Sequence, residues 1–288
     1  QINKSDCYIY SYWNDYMAAS IATIKQHFPE IKGYTRAHGW DVYCERHPLH
    51  YLPLRTHIMR NLDTVFFIAQ NGKDYYSKLL PQFSSKYTYS ALGTKNHGII
   101  NPQNNSSTFN MFSCSNIIPL KNLSLMIDAL SCINDISINW VHFGTGPNED
   151  EIILYAKQKL AAKQNIEFDF KGFVFNDKIH EYLAINHIDF LINCSTTEGV
   201  PVSMMEAMSF GVPVIGTNVG GVSEIISDSQ NGYLLSAMPS KQEVAATITK
   251  LCNLQPKDRD QMRQNAFTTW NTKFNADINY AAFISMIK

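Results

Sequence analysis

"DFLINCSTTEGVPVSMMEAMSFGVPVIG", residues 189–216, opens on Asp189 and then sets two glutamates, Glu198 and Glu206, in a stretch that is otherwise mostly apolar or small. The apolar run up to about Cys194 reads as a buried strand of the parallel-sheet type. A helix starts near Pro201, because proline is tolerated in a first helical turn, and Gly211 marks the position just past its end. "PVIGT" (213–217) supplies the next strand. Strand, helix and strand in that order make a parallel βαβ unit. Glu198 then occupies the loop at the carboxyl end of a strand, where ligands bind in open α/β sheets. The free N–H groups opening the next helix suit a phosphate. Glu206 falls about one and a half turns into that helix. Its carboxylate accepts hydrogen bonds in pairs, as the two hydroxyls of a ribose offer them. An unpaired carboxylate is rarely buried, so Glu206 in an apolar helix calls for a partner or a ligand.

The same alternation extends in both directions. Before the motif lie "FNMFSCS" as a strand and "LSLMIDAL" as a helix with Leu123, Met126, Ile127 and Leu130 on one stripe. "INWVHFG", "EDEIILYAKQKLAA" and "FDFKGFV" then read as strand, helix and strand. Further upstream, "CYIYSYW", "KGYTRAHG", "DTVFFIAQ" and "KYTYSAL" are strand-like. "YMAASIATIKQHF" is helical, with Met17, Ile21, Ile24 and Phe28 on one side, and "GKDYYSKLL" is a second helix. The polar stretch "GTKNHGIINPQNNSST" separates the halves and reads as a linker. The expected fold is α/β, two Rossmann-like parallel-sheet domains facing a cleft. Residues 1–108 form the first domain plus linker, 109–270 the second domain, and 271–288 a C-terminal helix.

The chain has 288 residues, is 45% hydrophobic and carries a net charge of −1. That is enough for two cores, and there is no basic excess to suggest nucleic acid or a polybasic membrane anchor. No apolar run reaches membrane-spanning length. The opening "QINKSDCYIY" lacks the basic and apolar regions of a signal peptide, and its start on Gln suggests a piece of a longer protein. The six cysteines are scattered without zinc-type spacing, so they read as reduced, buried thiols of a cytoplasmic protein.

Glu198 and Glu206 with seven residues between them, followed by "GVPVIGTNVGGVSEII" and "NGYLL", resemble the C-terminal domain of family 4 retaining glycosyltransferases of the glycosyltransferase-B fold. "CSNIIPLKNLSLMIDAL" matches that family's first C-domain strand, lysine loop and helix, and "VHFGTGPNEDEI" its second strand and glycine turn. "YTRAHGWDVYCERH" and "FIAQNGKDYY" are similar to the later half of the N-terminal, acceptor-side domain in members that build bacterial surface polysaccharides. The resemblance implies that Glu206 holds the ribose of a nucleoside-diphosphate sugar and that Glu198 contacts the donor sugar. The amides of Gly199 and Val200, next to Pro201, face the diphosphate, and Lys121 neutralises it as it leaves. The backbone at Phe173 and Val174 reads the base, Gly144 belongs to the donor-side glycine turn, and His38 reaches the donor sugar. It further implies a UDP- or GDP-sugar donor, a glycan or lipid-linked acceptor, retention of configuration and no cofactor or bound metal. The place of work it implies is the cytoplasm, with peripheral association at the inner membrane face as the second option; the oligomeric state stays open.

Two departures stand out. The family usually places Arg five residues before the lysine; here Asn116 occupies that position, a neutral donor in place of a permanent cation. The strands and glycine-rich loop that open the family's N-terminal domain have no counterpart before residue 7, which leaves a non-catalytic nucleotide-binding fragment as the alternative. Structural readings also stand beside the functional ones. Glu198 fits an acid interacting with a helix dipole, Lys121 a solvated lysine, His38 a turn histidine, and Glu224 a brace for its helix start. Arg36 is open between donor contact and salt bridge. "GTGP" (144–147) is a tight turn by itself, because the full Gly-x-Gly-x-x-Gly is missing; an NAD-dependent oxidoreductase lacks its fingerprint for the same reason.

Overall fold

The structure, a computed structural model, describes residues 7–103 and 106–287. The chain divides into two compact units: Gln1–Gly93 with Glu198–Val200 and Ala276–Lys288, and Thr94–Thr197 with Pro201–Asn275.

The first unit runs β1 (Tyr8–Ser11), α1 (Tyr16–His27), β2 (Lys32–Ala37), α2 (Arg55–Asn61), β3 (Thr64–Phe67), α3 (Gln70–Leu79) and β4 (Tyr87–Tyr89). Its strands pair in parallel in the order β1-β2-β3-β4. Asp15 starts α1 by accepting from the Met17 amide. The buried side of α1 is Ala18, Ala19, Ile21, Ala22 and Lys25, whereas Met17, Ile24 and Phe28 are exposed. The expected apolar stripe is therefore rotated. Small alanines allow the helix to pack closely, and Lys25 is buried because its charge is met. Its Nζ donates to the Ile31 carbonyl at 2.7 Å and to Asp63 Oδ2 at 2.5 Å. Gly33 makes room for this stem, since a Cβ there would lie 2.6 Å from Lys25 Cδ.

The second unit runs β5 (Thr108–Cys114), α4 (Leu123–Ser131), β6 (Ser137–Phe143), α5 (Glu149–Leu160), β7 (Ile166–Phe170), α6 (Asn176–Ile185), β8 (Phe190–Asn193) and α7 (Val202–Ser209). It continues with β9 (Val214–Thr217), α8 (Val222–Ile225), β10 (Gly232–Leu235), α9 (Lys241–Cys252) and α10 (Pro256–Lys273). The six strands are parallel in the order β10-β9-β8-β5-β6-β7. The order reverses between β8 and β5, so the crevice outside their carboxyl ends is the switch point at which such sheets bind ligands. The α4 stripe is buried as its spacing predicts, against a core that includes Met111, Trp140 and Ile192. Both units are thus Rossmann-like parallel-sheet layers.

The stretch read as a linker is anchored in the second unit at two buried residues, Thr94, which bonds to Phe274 and Trp270, and Asn101. Asn101 Nδ2 donates to the carbonyls of Leu183 and Asn186, at 2.5 and 2.7 Å, and its Oδ1 accepts from the Ile188 amide at 2.9 Å. Arg263 Nη2 donates to the Asn101 carbonyl at 2.8 Å. At the C-terminus the chain forms a last helix, α11 (Ala276–Ile287), which belongs to the first unit, and α10 ends at Lys273. Phe283 of α11 packs with Tyr34 and Phe66. The six cysteines are free, but Cys194 and Cys252 alone are buried and Cys132 is exposed, so the expectation of uniformly buried thiols does not hold.

Candidate functional site

The motif folds as its punctuation predicts. β8 ends at Asn193, Pro201 caps α7 with φ −65°, and Gly211 follows the helix with φ +74°. α7 is buried from Met204 to Ser209, so the Glu206 side chain enters an apolar layer. Two side chains of α6 meet it there. Asn176 Nδ2 donates to Glu206 Oε1 at 2.8 Å, and His180 Nε2 lies 3.3 Å from the same oxygen. Behind His180 stands His97, with ring centroids 4.3 Å apart, and His97 stacks on Phe210 at 5.1 Å. Burial, then the neighbouring His180 and Lys95, hold the His97 pKa below its usual value, against the pull of Glu206. The carboxylate is therefore held through one oxygen by the Asn176 amide, with the His180 ring beside the same oxygen.

Lys121 closes a single 3-10 turn, Pro119–Lys121, between β5 and α4. The Thr196 amide donates to the Leu120 carbonyl at 2.9 Å, tying the loop after β8 to the lysine loop across the switch point. Cys114, the last residue of β5, registers both candidate charges. Burial pushes its thiol up to about 12, with Glu206 raising it further and Lys121 opposing. The thiol is thus protonated and inert at neutral pH. Asn116, two residues after β5, is exposed.

Gly144 follows β6 with φ +142°, and a Cβ there would lie 1.8 Å from the Ser115 carbonyl oxygen. Only glycine lets the β5 and β6 turns close on each other. Its amide donates to the Gly172 carbonyl at 2.8 Å, which brings in the loop after β7. "FDFKGFV" is a strand only to Phe170; Phe173 and Val174 lie beyond it, and Phe173 is exposed beside Phe175 with ring centroids 5.1 Å apart. Glu206, Lys121, Asn116, Gly144, Pro201, Phe173 and Val174 are all contributed by the second unit.

Glu198, Gly199, Val200 and His38 belong to the first unit. The Arg46 guanidinium donates to the Glu198 carbonyl. Gly199 packs on Gly39: a Cβ at Gly39 would lie 2.9 Å from Gly199 Cα. His38 is buried, its amide donating to Asp41 Oδ1 at 2.5 Å and its ring lying 4.6 Å from Tyr12 and 4.3 Å from Trp13. Neither ring nitrogen has a hydrogen-bond partner among the described residues.

Sequence reading missed Asn176, His180 and His97. The signal was present in "NDKIH": Asn176 and His180 are four apart, hence on one helix face, and both are polar on a helix that covers a buried sheet.

A sequence profile described as glycosyl transferases group 1 matches residues 100–269, more than half of the chain. The chain belongs to this family. Among curated relatives, an uncharacterized glycosyltransferase of Methanocaldococcus jannaschii is 30% identical over 138 residues, 47% of this chain and 36% of the relative. The putative teichuronic acid biosynthesis glycosyltransferase TuaC of Bacillus subtilis is 30% identical over 162 residues, 56% of this chain and 37% of the relative. The matches thus span little more than a third of the length of these group 1 relatives. In fold, the chain is similar to Anabaena HepE solved in complex with UDP, with a TM-score of 0.78 at 16% identity over 98% of this chain and 78% of that one. It is likewise similar to sucrose-phosphate synthase of Thermosynechococcus elongatus, with a TM-score of 0.76 at 15% identity over 97% and 72%.

Proposed function

We propose that the protein is a retaining glycosyltransferase that moves a sugar from a nucleoside-diphosphate sugar to a glycan or lipid-linked acceptor in bacterial surface-polysaccharide synthesis. The observation that carries this reading is the Glu206 carboxylate, buried on α7 and held through Oε1 by Asn176 with His180 beside it, at the switch point of the second sheet. A carboxylate so held is preorganised to accept two ribose hydroxyls. Lys121, on the tied loop opposite, supplies the cation for the diphosphate, and stabilising a leaving group is often the largest catalytic contribution. Asn116 leaves Lys121 to carry more of that charge than it would beside an arginine. Phe173 and Val174 border the base, Gly144 keeps the floor of the site free of side-chain bulk, and Pro201 presents the first amides of α7. Glu198, with the Gly199 and Val200 amides, and His38 act on the donor sugar and diphosphate. The step needs no bound metal in this reading.

Membership of the group 1 family supports a sugar transfer. The names of relatives in teichuronic and colanic acid biosynthesis support a surface-glycan setting. A fold shared with a protein solved with UDP and glucose supports a uridine nucleotide sugar. No helix among the described residues is long and apolar enough to cross a membrane. The test is a transfer and donor-hydrolysis assay over UDP- and GDP-sugars, with Glu206→Ala and Lys121→Ala beside the wild type. Turnover is expected to fall at least tenfold in each variant. Turnover unchanged in both would overturn the assignment.

A further inference from the structure

The first unit buries a cation for which the described residues supply no counter-charge. Arg36, on β2, is 1% exposed. It takes part in none of the ion pairs among the described residues. Its Nη2 donates to Ser90 Oγ at 3.2 Å. The guanidinium lies 4.4 Å from the Phe283 ring centroid and 6.0 Å from that of Tyr280. Nε and Nη1 are buried and complete no hydrogen bond among the described residues. A guanidinium withdrawn from water is costly unless charge and hydrogen bonds answer it, and a ring face returns only part of that cost.

Three phenols share the field of this cation. Tyr10, Tyr12 and Tyr280 interact electrostatically with one another, and Arg36 acts on Tyr10 and Tyr12. Burial pushes the Tyr10 phenol up to about 12 against the pull of Arg36. Burial raises Tyr12 as well. With their pKa values raised, Tyr10 and Tyr12 stay neutral at neutral pH, so neither cancels the guanidinium charge. Tyr12 and Tyr280 are half-exposed, and Tyr280 reaches back through its hydroxyl to the Gly93 carbonyl at 3.2 Å. The Tyr10 hydroxyl bonds to the guanidinium, yet Nε and Nη1 remain without a well-formed hydrogen bond, and a buried guanidinium so placed is the complement of an oxyanion.

We propose that Arg36, with the phenols of Tyr10, Tyr12 and Tyr280, forms an oxyanion-binding subsite of the first unit that takes a phosphate or carboxylate group carried by a ligand. Because Nε and Nη1 are buried, an anion reaches them only when the half-exposed rings of Tyr12 and Tyr280 part. Arg36 and the three tyrosines all belong to the first unit, as does His38, on which Tyr12 packs at 4.6 Å; Lys121, the cation of the nucleotide reading, belongs to the second.

The test is calorimetric titration of inorganic phosphate and of D-glucuronate into the whole chain, at constant ionic strength set with chloride. The variants are Arg36→Met, the double Tyr12→Phe/Tyr280→Phe, and Lys121→Ala. Saturable binding of at least one anion is expected, about tenfold weaker in the double tyrosine variant and lost in Arg36→Met. Lys121→Ala should leave it unchanged, which separates this subsite from the diphosphate site. Preference for phosphate or for glucuronate names the group the ligand carries. Circular dichroism checks folding; if Arg36→Met does not fold, the tyrosine pair decides. Absence of binding above chloride, unchanged affinity in the tyrosine variant, or loss in Lys121→Ala would each overturn the proposal.

Discussion

Acid should weaken the second unit through a single histidine beneath the candidate site. His142 on β6 is fully buried, with Nδ1 2.8 Å from Ser113 Oγ, the same hydroxyl that accepts from Trp140 Nε1 at 2.8 Å. Burial, only partly opposed by the Ser115 backbone, lowers its pKa from 6.5 to about 4. The unfolded chain therefore binds a proton that the native state resists, and the stability held by neutral His142 is complete above pH 6.5 and lost as pH falls toward 4. At about 1.4 kcal/mol per pH unit of displacement, the loss reaches about 3 kcal/mol at the acid end. The site feels this directly, because Gly144 closes over the imidazole: a Cβ there would lie 3.3 Å from His142 Nε2. Urea denaturation followed by circular dichroism, at neutral pH and near pH 4.5, should be run on the wild type and on His142→Asn. The wild type should lose about 2–3 kcal/mol more than the variant over that interval. Contributions common to both proteins, such as those of His97 and His187, drop out of the difference. Equal pH dependence in the two proteins would refute the reasoning.

Three further substitutions probe the frame. Asp63→Ala strands the buried Lys25 ammonium and should cost about 2–4 kcal/mol in urea denaturation, whereas Lys25→Met, which removes the charge itself, should cost less. Gly144→Ala forces a Cβ onto the Ser115 carbonyl at φ +142° and should destabilise the second unit by about 2 kcal/mol or more, read as a lower thermal midpoint. Asn101→Ala breaks the hydrogen bonds to Leu183, Asn186 and Ile188 and should cost about 3 kcal/mol, with faster amide exchange at Ile188.

The second unit was legible because its signals are local. An apolar strand, a proline at the helix start, a glycine past the helix end and the Leu123–Leu130 stripe each state one element without help from distant residues. The α1 face was misjudged because Lys25 reads as a solvent residue until Asp63, 38 positions away, supplies its partner. α11 was expected from sequence only as a C-terminal helix; that it packs through Phe283 on Tyr34 and Phe66 is a long-range fact no periodicity states. At the site, Glu206 was visible as a carboxylate out of place. Its holders were not, since Asn176 and His180 gain meaning only once α6 crosses α7. Arg36 was open between donor contact and salt bridge, and none of the ion pairs among the described residues includes it.

The nucleotide site is tested most directly by calorimetric titration of UDP and GDP into the 288-residue chain, beside Glu206→Ala and Lys121→Ala. One nucleotide should bind saturably to the wild type, at least tenfold more weakly to each variant, a loss of about 1.4 kcal/mol or more. Binding of equal strength in all three proteins, or binding of neither nucleotide to the wild type, would contradict the placement of ribose at Glu206 and diphosphate at Lys121.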